Sequence, residues 1–278
     1  MAGRAAVICV GVILGLILAN GCSGPVDTYV SWLGDPSPAV RKTAYDSLLV
    51  MKDDPETVPK VIRVLKSKKK PAVLAALRLL AAIGDTAASG PVAKKYEKSD
   101  GTVRMEALMT LGRLGGPTAE RAVVKALDDT LGSIRQIAVN ALGGMISLES
   151  LDHMKRMRRD PSPGVRAAAI HAMGQYNDVF GAGVRAADFA DAIRDSADVV
   201  RWSAVRVLRR EWRDDGVAQH LLIDMLEEPS EAIRKEVILI LAAKRCRTAI
   251  PLLKVRYASA GKQEQATISR ALKALTGQ

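Results

Sequence analysis

The sequence predicts an all-α solenoid, in which two-helix repeats stack along an axis instead of gathering around one core. Three observations carry that expectation. The 278 residues are 48% hydrophobic but only 4% aromatic. Ala, Leu, Val and Arg dominate; Ala, Leu and Arg favour helix, whereas β sandwiches lean on aromatic and β-branched residues. A pattern then recurs seven times, starting at Val40, Ala72, Val103, Ile134, Val165, Val200 and Ile233, with spacings of 32, 31, 31, 31, 35 and 33 residues. Finally, turns rich in Asp, Pro, Ser and Gly precede most of these starts, as in Asp35-Pro36-Ser37-Pro38, Asp160-Pro161-Ser162-Pro163 and Glu228-Pro229-Ser230.

The N-terminal element stands apart. Arg4 is the only charge before fifteen uncharged, mostly apolar residues from Ala5 to Ala19, followed by Asn20-Gly21-Cys22. A positive start, an apolar core and small residues at its end predict a secretory signal over residues 1–21. The apolar stretch is shorter than the roughly 20 residues a membrane-spanning helix needs. Residues 22–25 then form a short tether, and the repeats occupy 26–278. With Cys9 in the apolar segment and Cys22 at its end, Cys246 is left alone, so no internal disulfide is expected.

Within each repeat, the residue four places after the start is Ala44, Ala76, Ala107, Ala138, Ala169, Ala204 or Val237. Eight places after lie Leu48, Leu80, Leu111, Leu142, Met173, Leu208 and Leu241. That spacing draws one apolar stripe down a helix, and the small residue lets a neighbour approach. Pro in a first turn and Ser or Asp just before it start the helix. A second, shorter helix is expected between repeats, for example over Val58 to Leu65, Ala119 to Leu127, Val217 to Leu226 and Ala249 to Tyr257.

The residue after the start is Arg41, Val73, Arg104, Arg135, Arg166, Arg201 or Arg234. A short helix, an Asp-Pro turn and a Val-Arg opening with Ala and Leu-Gly following resemble the HEAT-repeat family. The likeness covers roughly residues 26–276, as seven repeats and an atypical eighth, Ala249 to Thr276, which lacks the Arg and caps the end. It implies a ladder in which an Asp six residues before the Arg pairs along the stack. The pairs here are Asp35 with Arg41, Asp129 with Arg135, Asp160 with Arg166 and Asp195 with Arg201, with Glu228 and Arg234 as a conservative fifth. Ser67 before Val73 and Lys98 before Arg104 interrupt it. An Arg at a helix N-terminus opposes the macrodipole and needs a carboxylate nearby; an Asp in the preceding turn, on this or the adjacent repeat, supplies it, so these residues read as structural.

The segment Leu18-Ala19-Asn20-Gly21-Cys22 in turn resembles the lipobox of bacterial lipoproteins, with Asn20 departing from the usual residue before Gly. That resemblance implies cleavage before Cys22, acylation of its thiol, and a protein held in the bacterial envelope facing the periplasm.

No catalytic constellation is visible. His153, His171 and His220 have no second ligand at metal spacing, there is no His-Glu pair of the di-iron hydroxylase type, and no phosphate loop or serine elbow. No metal or cofactor is expected. The net charge of +11 points, in an exported protein, to anionic lipid, envelope polymers or acidic proteins instead of nucleic acid. Lys66, Lys68, Lys69 and Lys70 form one basic cluster; Lys155, Arg156, Arg158 and Arg159 form another.

Positions two, six and nine after each start face away from the apolar stripe, and in HEAT arrays this helix lines the concave face. The candidates there are Arg78, Met105, Met109, Gln136, Asn140, His171, Trp202, Arg206 and Lys235. Position nine is often small (Ala81, Gly112, Gly143, Gly174, Ala242), which is expected to keep the groove floor open. The expected function is a non-catalytic scaffold binding a protein partner through that face, with Trp202, Arg206, Met105, Met109 and His171 at its centre. The alternatives are a binder of anionic lipid or envelope polymer through the basic edges, and an enzyme of the HEAT-like lyase type.

Overall fold

The computed structural model describes residues 24–145, 147–180, 183–210 and 216–277. Cys22 and the expected signal lie outside the described residues. The fold is an all-α solenoid, and no strand occurs among the described residues. The chain divides into two compact units, Met1–Ala126 and Leu127–Gln278.

In the first unit, helices α1 (Pro25–Trp32), α3 (Thr57–Val64), α5 (Ser89–Glu97) and α7 (Gly116–Ala126) alternate with α2 (Pro38–Val50), α4 (Lys70–Ile83) and α6 (Gly101–Leu114). The even-numbered helices carry the repeat starts and pack α2 on α4 and α4 on α6, while their partners back them. Ala44, Ala76 and Ala107, four places after each start, have no exposed surface. With only a methyl group at the crossing, adjacent helices close onto Leu48, Leu80 and Leu111, which are likewise sealed. Gly84 ends α4 in the left-handed conformation at φ 79°, donating its N–H to the Leu80 carbonyl.

The second unit repeats the scheme. The start-bearing helices α8 (Gly132–Met145), α10 (Pro163–Phe180), α11 (Asp198–Arg210) and α13 (Glu231–Ala243) form one layer, continued by α15 (Lys262–Thr276) of the capping repeat. Helices α9 (Leu151–Met157), α12 (Val217–Asp224) and α14 (Ile250–Ser259) form the other. The 35-residue spacing between Val165 and Val200 has a structural cause. There α10 runs for 18 residues, and two 3-10 turns, Ala186–Phe189 and Ala192–Arg194, replace the backing helix. Phe189, at the end of the first of these turns, is fully buried.

The turns are capped differently from expectation. Ser37 and Ser230 occupy N-cap positions but make no side-chain cap bond. Instead the acid two residues earlier accepts the Ser N–H, at 2.8 Å for Asp35 and 3.1 Å for Glu228. Asp160 does the same for Ser162 at 2.8 Å and Asp195 for Ala197 at 2.9 Å. A carboxylate satisfies the orphan donor and carries a charge to spare for a second partner.

That second partner is the Arg of the adjacent repeat. Each Arg hydrogen-bonds the backbone carbonyl of the acid six residues before it: Nη1 of Arg135 donates to the Asp129 carbonyl at 2.8 Å, and that of Arg166 to the Asp160 carbonyl at 2.9 Å. The carboxylates belong to the next repeat. Arg135 holds Asp160 through Nε and Nη2 at 2.7 and 2.8 Å, Arg166 holds Asp195 at 2.8 and 2.7 Å, and Arg201 holds Glu228 at 2.8 and 2.7 Å. Arg234 holds Glu264 at 2.9 and 2.8 Å, so the capping repeat supplies the last acceptor from inside α15. One guanidinium thus ties its own turn to the following one, and the planar fork of Arg suits both tasks. Burial pushes the Asp160 carboxyl up, but Arg135, the Ser162 N–H and Arg166 together bring it below its ordinary value. Asp195 is held low chiefly by Arg166.

Candidate binding surface

With the ladder occupied by packing, the surface left for recognition is the exposed side of the start-bearing helices. In the second unit, Gln136 and Asn140 are exposed on α8, His171 is half-buried on α10, and Trp202 and Arg206 lie half-buried and exposed on α11. Lys235 on α13 is engaged by Glu231 at 2.7 Å and by Gln263 at 3.1 Å. In the first unit, Met105 and Met109 are 36% and 44% exposed on α6, so they face solvent instead of a neighbouring helix. Beside them Glu106 accepts from Arg78 of α4 at 3.2 and 3.1 Å.

The structure brings part of the candidate set together. Trp202 and Arg206 line a hollow of about 370 Å³ with Arg209, Arg210 and Glu236. The period explains the grouping: Trp202, Arg206, Arg209 and Arg210 fall within about two turns of one helix face. Arg209 reaches Glu236 at 3.2 Å. Three guanidiniums therefore line the hollow beside an indole, an arrangement that favours acidic and aromatic contacts. His171 feels the same field: burial lowers its pKa below 6.5 first, and the charges of Arg206 and Arg210 lower it further. At neutral pH the imidazole is uncharged.

Arg209 and Arg210 were not among the sequence candidates, although a signal existed. Position nine is small in five repeats but is Arg209 in the sixth. The reason given for small residues there also needs correcting at two positions. Gly143 and Gly174 are buried against the next start-bearing helix, not open to a groove. A Cβ on Gly174 would lie 2.9 Å from Val207 Cγ2, and one on Gly143 would lie 3.0 Å from Ala172 Cβ. Close helix approach, not an open floor, requires glycine there.

The two basic clusters part company in space. Lys155, Arg156, Arg158 and Arg159 rim a cleft of about 800 Å³ on the ladder side of the second unit. Five cationic lining residues, with Arg135, face five aspartates, 128, 129, 160, 191 and 195. Arg156 pairs with Asp128 at 2.7 Å and Arg158 approaches Asp191 at 4.0 Å. A run that is basic in sequence is neutral where it folds. Lys66, Lys68, Lys69 and Lys70 are all exposed in the first unit.

The three histidines lie on separate helices, α9, α10 and α12. Among the described residues no group of three or more His, Cys, Asp or Glu side chains could hold a metal ion. No described helix is long and apolar enough to cross a membrane.

Comparison with known proteins adds the following. A family model described as HEAT repeats matches residues 72–143, 89–174 and 120–209. No curated protein matches the chain by sequence. Among solved structures, the YibA protein of Escherichia coli is similar with a TM-score of 0.55 and 16% identity, covering 85% of this chain and 97% of that one. The CpcE–CpcF complex of phycocyanin lyase from a Nostoc species gives 0.46 and 17%, covering 92% and 96%. Human deoxyhypusine hydroxylase in complex with glycerol gives 0.43 and 16%, covering 82% and 98%. The first likeness concerns the fold alone, and the other two are too loose to bear on activity.

Proposed function

Starting from a chain that carries HEAT repeats, we propose a non-catalytic scaffold of the bacterial cell envelope that binds an acidic protein partner through the α11 face. The observation supporting this reading is the hollow lined by Trp202, Arg206, Arg209, Arg210 and Glu236, in which three guanidiniums stand beside an indole. Trp and Arg dominate the energetics of protein interfaces, because both present large, rigid surfaces able to pair once water is expelled. In this reading the chain is exported by residues 1–21 and held at the membrane by an acylated Cys22. In-cell crosslinking followed by affinity purification recovers the partner. The double substitution Trp202→Ala with Arg206→Ala loses it while leaving the helical content unchanged. Recovery of the same partner from the double variant would place binding elsewhere.

A second reading, attachment to anionic lipid or envelope polymer, draws support from the exposed Lys66, Lys68, Lys69 and Lys70. It predicts salt-sensitive binding lost on neutralising Lys68, Lys69 and Lys70.

A further inference from the structure

The ladder breaks where Ser67 stands in place of the acid that the next repeat supplies elsewhere. Ser67 keeps one half of that acid's work: its Oγ accepts the Lys69 N–H at 3.1 Å, as Asp160 accepts Ser162 N–H at 2.8 Å. It cannot do the other half, because a hydroxyl brings no charge and one oxygen cannot bridge a guanidinium edge. Arg41 nevertheless adopts the pose of the intact rungs. Its Nη1 donates to the carbonyls of Asp35 and Pro36 at 2.6 and 2.8 Å, as Nη1 of Arg166 does to Asp160 and Pro161 at 2.9 and 3.2 Å. In Arg135, Arg166, Arg201 and Arg234 the remaining edge, Nε and Nη2, chelates a carboxylate. For Arg41 no acceptor on that edge exists among the described residues.

Arg41 borders a hollow of about 430 Å³ whose lining includes Lys42, Tyr45, Lys70 and Arg78 and no carboxylate. Lys42 is answered by Asp46 at 2.7 Å and Arg78 by Glu106 at 3.1 Å, outside the lining. Among the described residues, Arg41 and Lys70 are not answered by a carboxylate. The charge-balanced cleft of the second unit shows that such crowding is not the rule in this protein.

We propose that the interrupted rung at Arg41 binds a phosphate monoester dianion, two of its oxygens taking the place of the missing carboxylate and the second charge meeting Lys70. The guanidinium fork matches phosphate as it matches carboxylate, and a dianion answers two cations where a single Asp answers one. The hollow has room for more than a carboxylate, so the group can be free phosphate or the headgroup of a phosphatidic acid. The site lies in the first unit and does not depend on the partner face on α11.

The test measures binding of inorganic phosphate to the full chain by calorimetry, against chloride of equal ionic strength. Wild type and Arg206→Gln bind phosphate equally, whereas Arg41→Gln and Ser67→Asp each weaken binding about tenfold or more. Ser67→Asp also melts above wild type in chloride, since the new carboxylate closes the rung, and this keeps the test independent of how Arg41→Gln folds. Sedimentation with phosphatidylcholine vesicles, with and without phosphatidic acid, identifies the source. Retention that depends on phosphatidic acid and is lost in Ser67→Asp assigns the lipid headgroup; phosphate binding without such retention assigns a soluble phosphate. Absence of phosphate binding beyond chloride, or full binding by Ser67→Asp, overturns the proposal.

Discussion

Replacing Glu264 with Gln tests how much the ladder contributes to stability. Glu264 is 1% exposed, takes Arg234 in two bonds at 2.9 and 2.8 Å, and takes Arg256 at 3.1 Å. Arg234 lowers its pKa most, burial opposes, Arg256 adds to the lowering, and the net result is a fall from the usual 4.5 to about 2. At 1.36 kcal/mol per pKa unit, ionised Glu264 favours the folded state by roughly 3 kcal/mol at neutral pH. Gln keeps the shape but leaves the buried Arg234 with an uncompensated charge, for which a loss of about 3–5 kcal/mol is the general experience. A loss of about 3 kcal/mol lowers the melting temperature by roughly 6–12 °C if the second unit unfolds together. The sign of the pH dependence follows from the lowered pKa. The stabilisation is complete above about 4.5, declines as pH falls, and is gone below about 2. Urea unfolding followed by circular dichroism at pH 7, 4 and 3 should show the gap between wild type and Glu264→Gln narrowing with acidity. Equal stability at pH 7, or a gap indifferent to pH, would refute the reasoning.

Other outcomes follow from the same contacts. Gly174→Ala, which forces a methyl against Val207, lowers stability by about 1–3 kcal/mol; adding Val207→Ala recovers part of the loss, read by the same urea titration. Arg206→Ala raises the His171 pKa toward 6.5 without reaching it, because burial remains after one of its two cationic neighbours is gone; an NMR titration of the imidazole reads this directly. Cys246, 5% exposed and the only free thiol described, resists thiol reagents in the native protein and reacts on unfolding. Metabolic labelling with a fatty acid marks the wild-type chain and not Cys22→Ala if residue 22 carries lipid.

The fold was legible because its code is repetitive. All seven predicted starts fall on the start-bearing helices, and Ala44 through Val237 four places on are fully buried. Short-range spacing is enough for this, since each helix needs only one apolar stripe. What pairing the ladder makes was less legible. The motif places each acid six residues from an Arg in its own repeat, whereas the carboxylate serves the Arg of the repeat before. Sequence distance shows the first relation and hides the second, which depends on how turns stack. Glu264 was missed for that reason: it sits within the first turn of α15, off the motif, and its longer side chain reaches Arg234. The candidate surface was half legible. Wheel geometry finds Trp202 and Arg206 but passes over Arg209, because position nine reads as a small-residue position, and Arg210, which falls at position ten. Charge runs are least legible where neighbouring repeats neutralise them, as where Arg156 meets Asp128 and Arg158 approaches Asp191, both remote in sequence.

The relation between repeats can be measured in one comparison. A double-mutant cycle on Arg166 and Asp195, 29 residues apart and bonded through Nε and Nη2, should give a coupling of about 2 kcal/mol or more. The same cycle on Arg166 and Asp160, which share a repeat and meet through the Asp160 backbone, should give a value well below that. The reverse order, with the strong coupling inside the repeat, would contradict a ladder that fastens each repeat to the next.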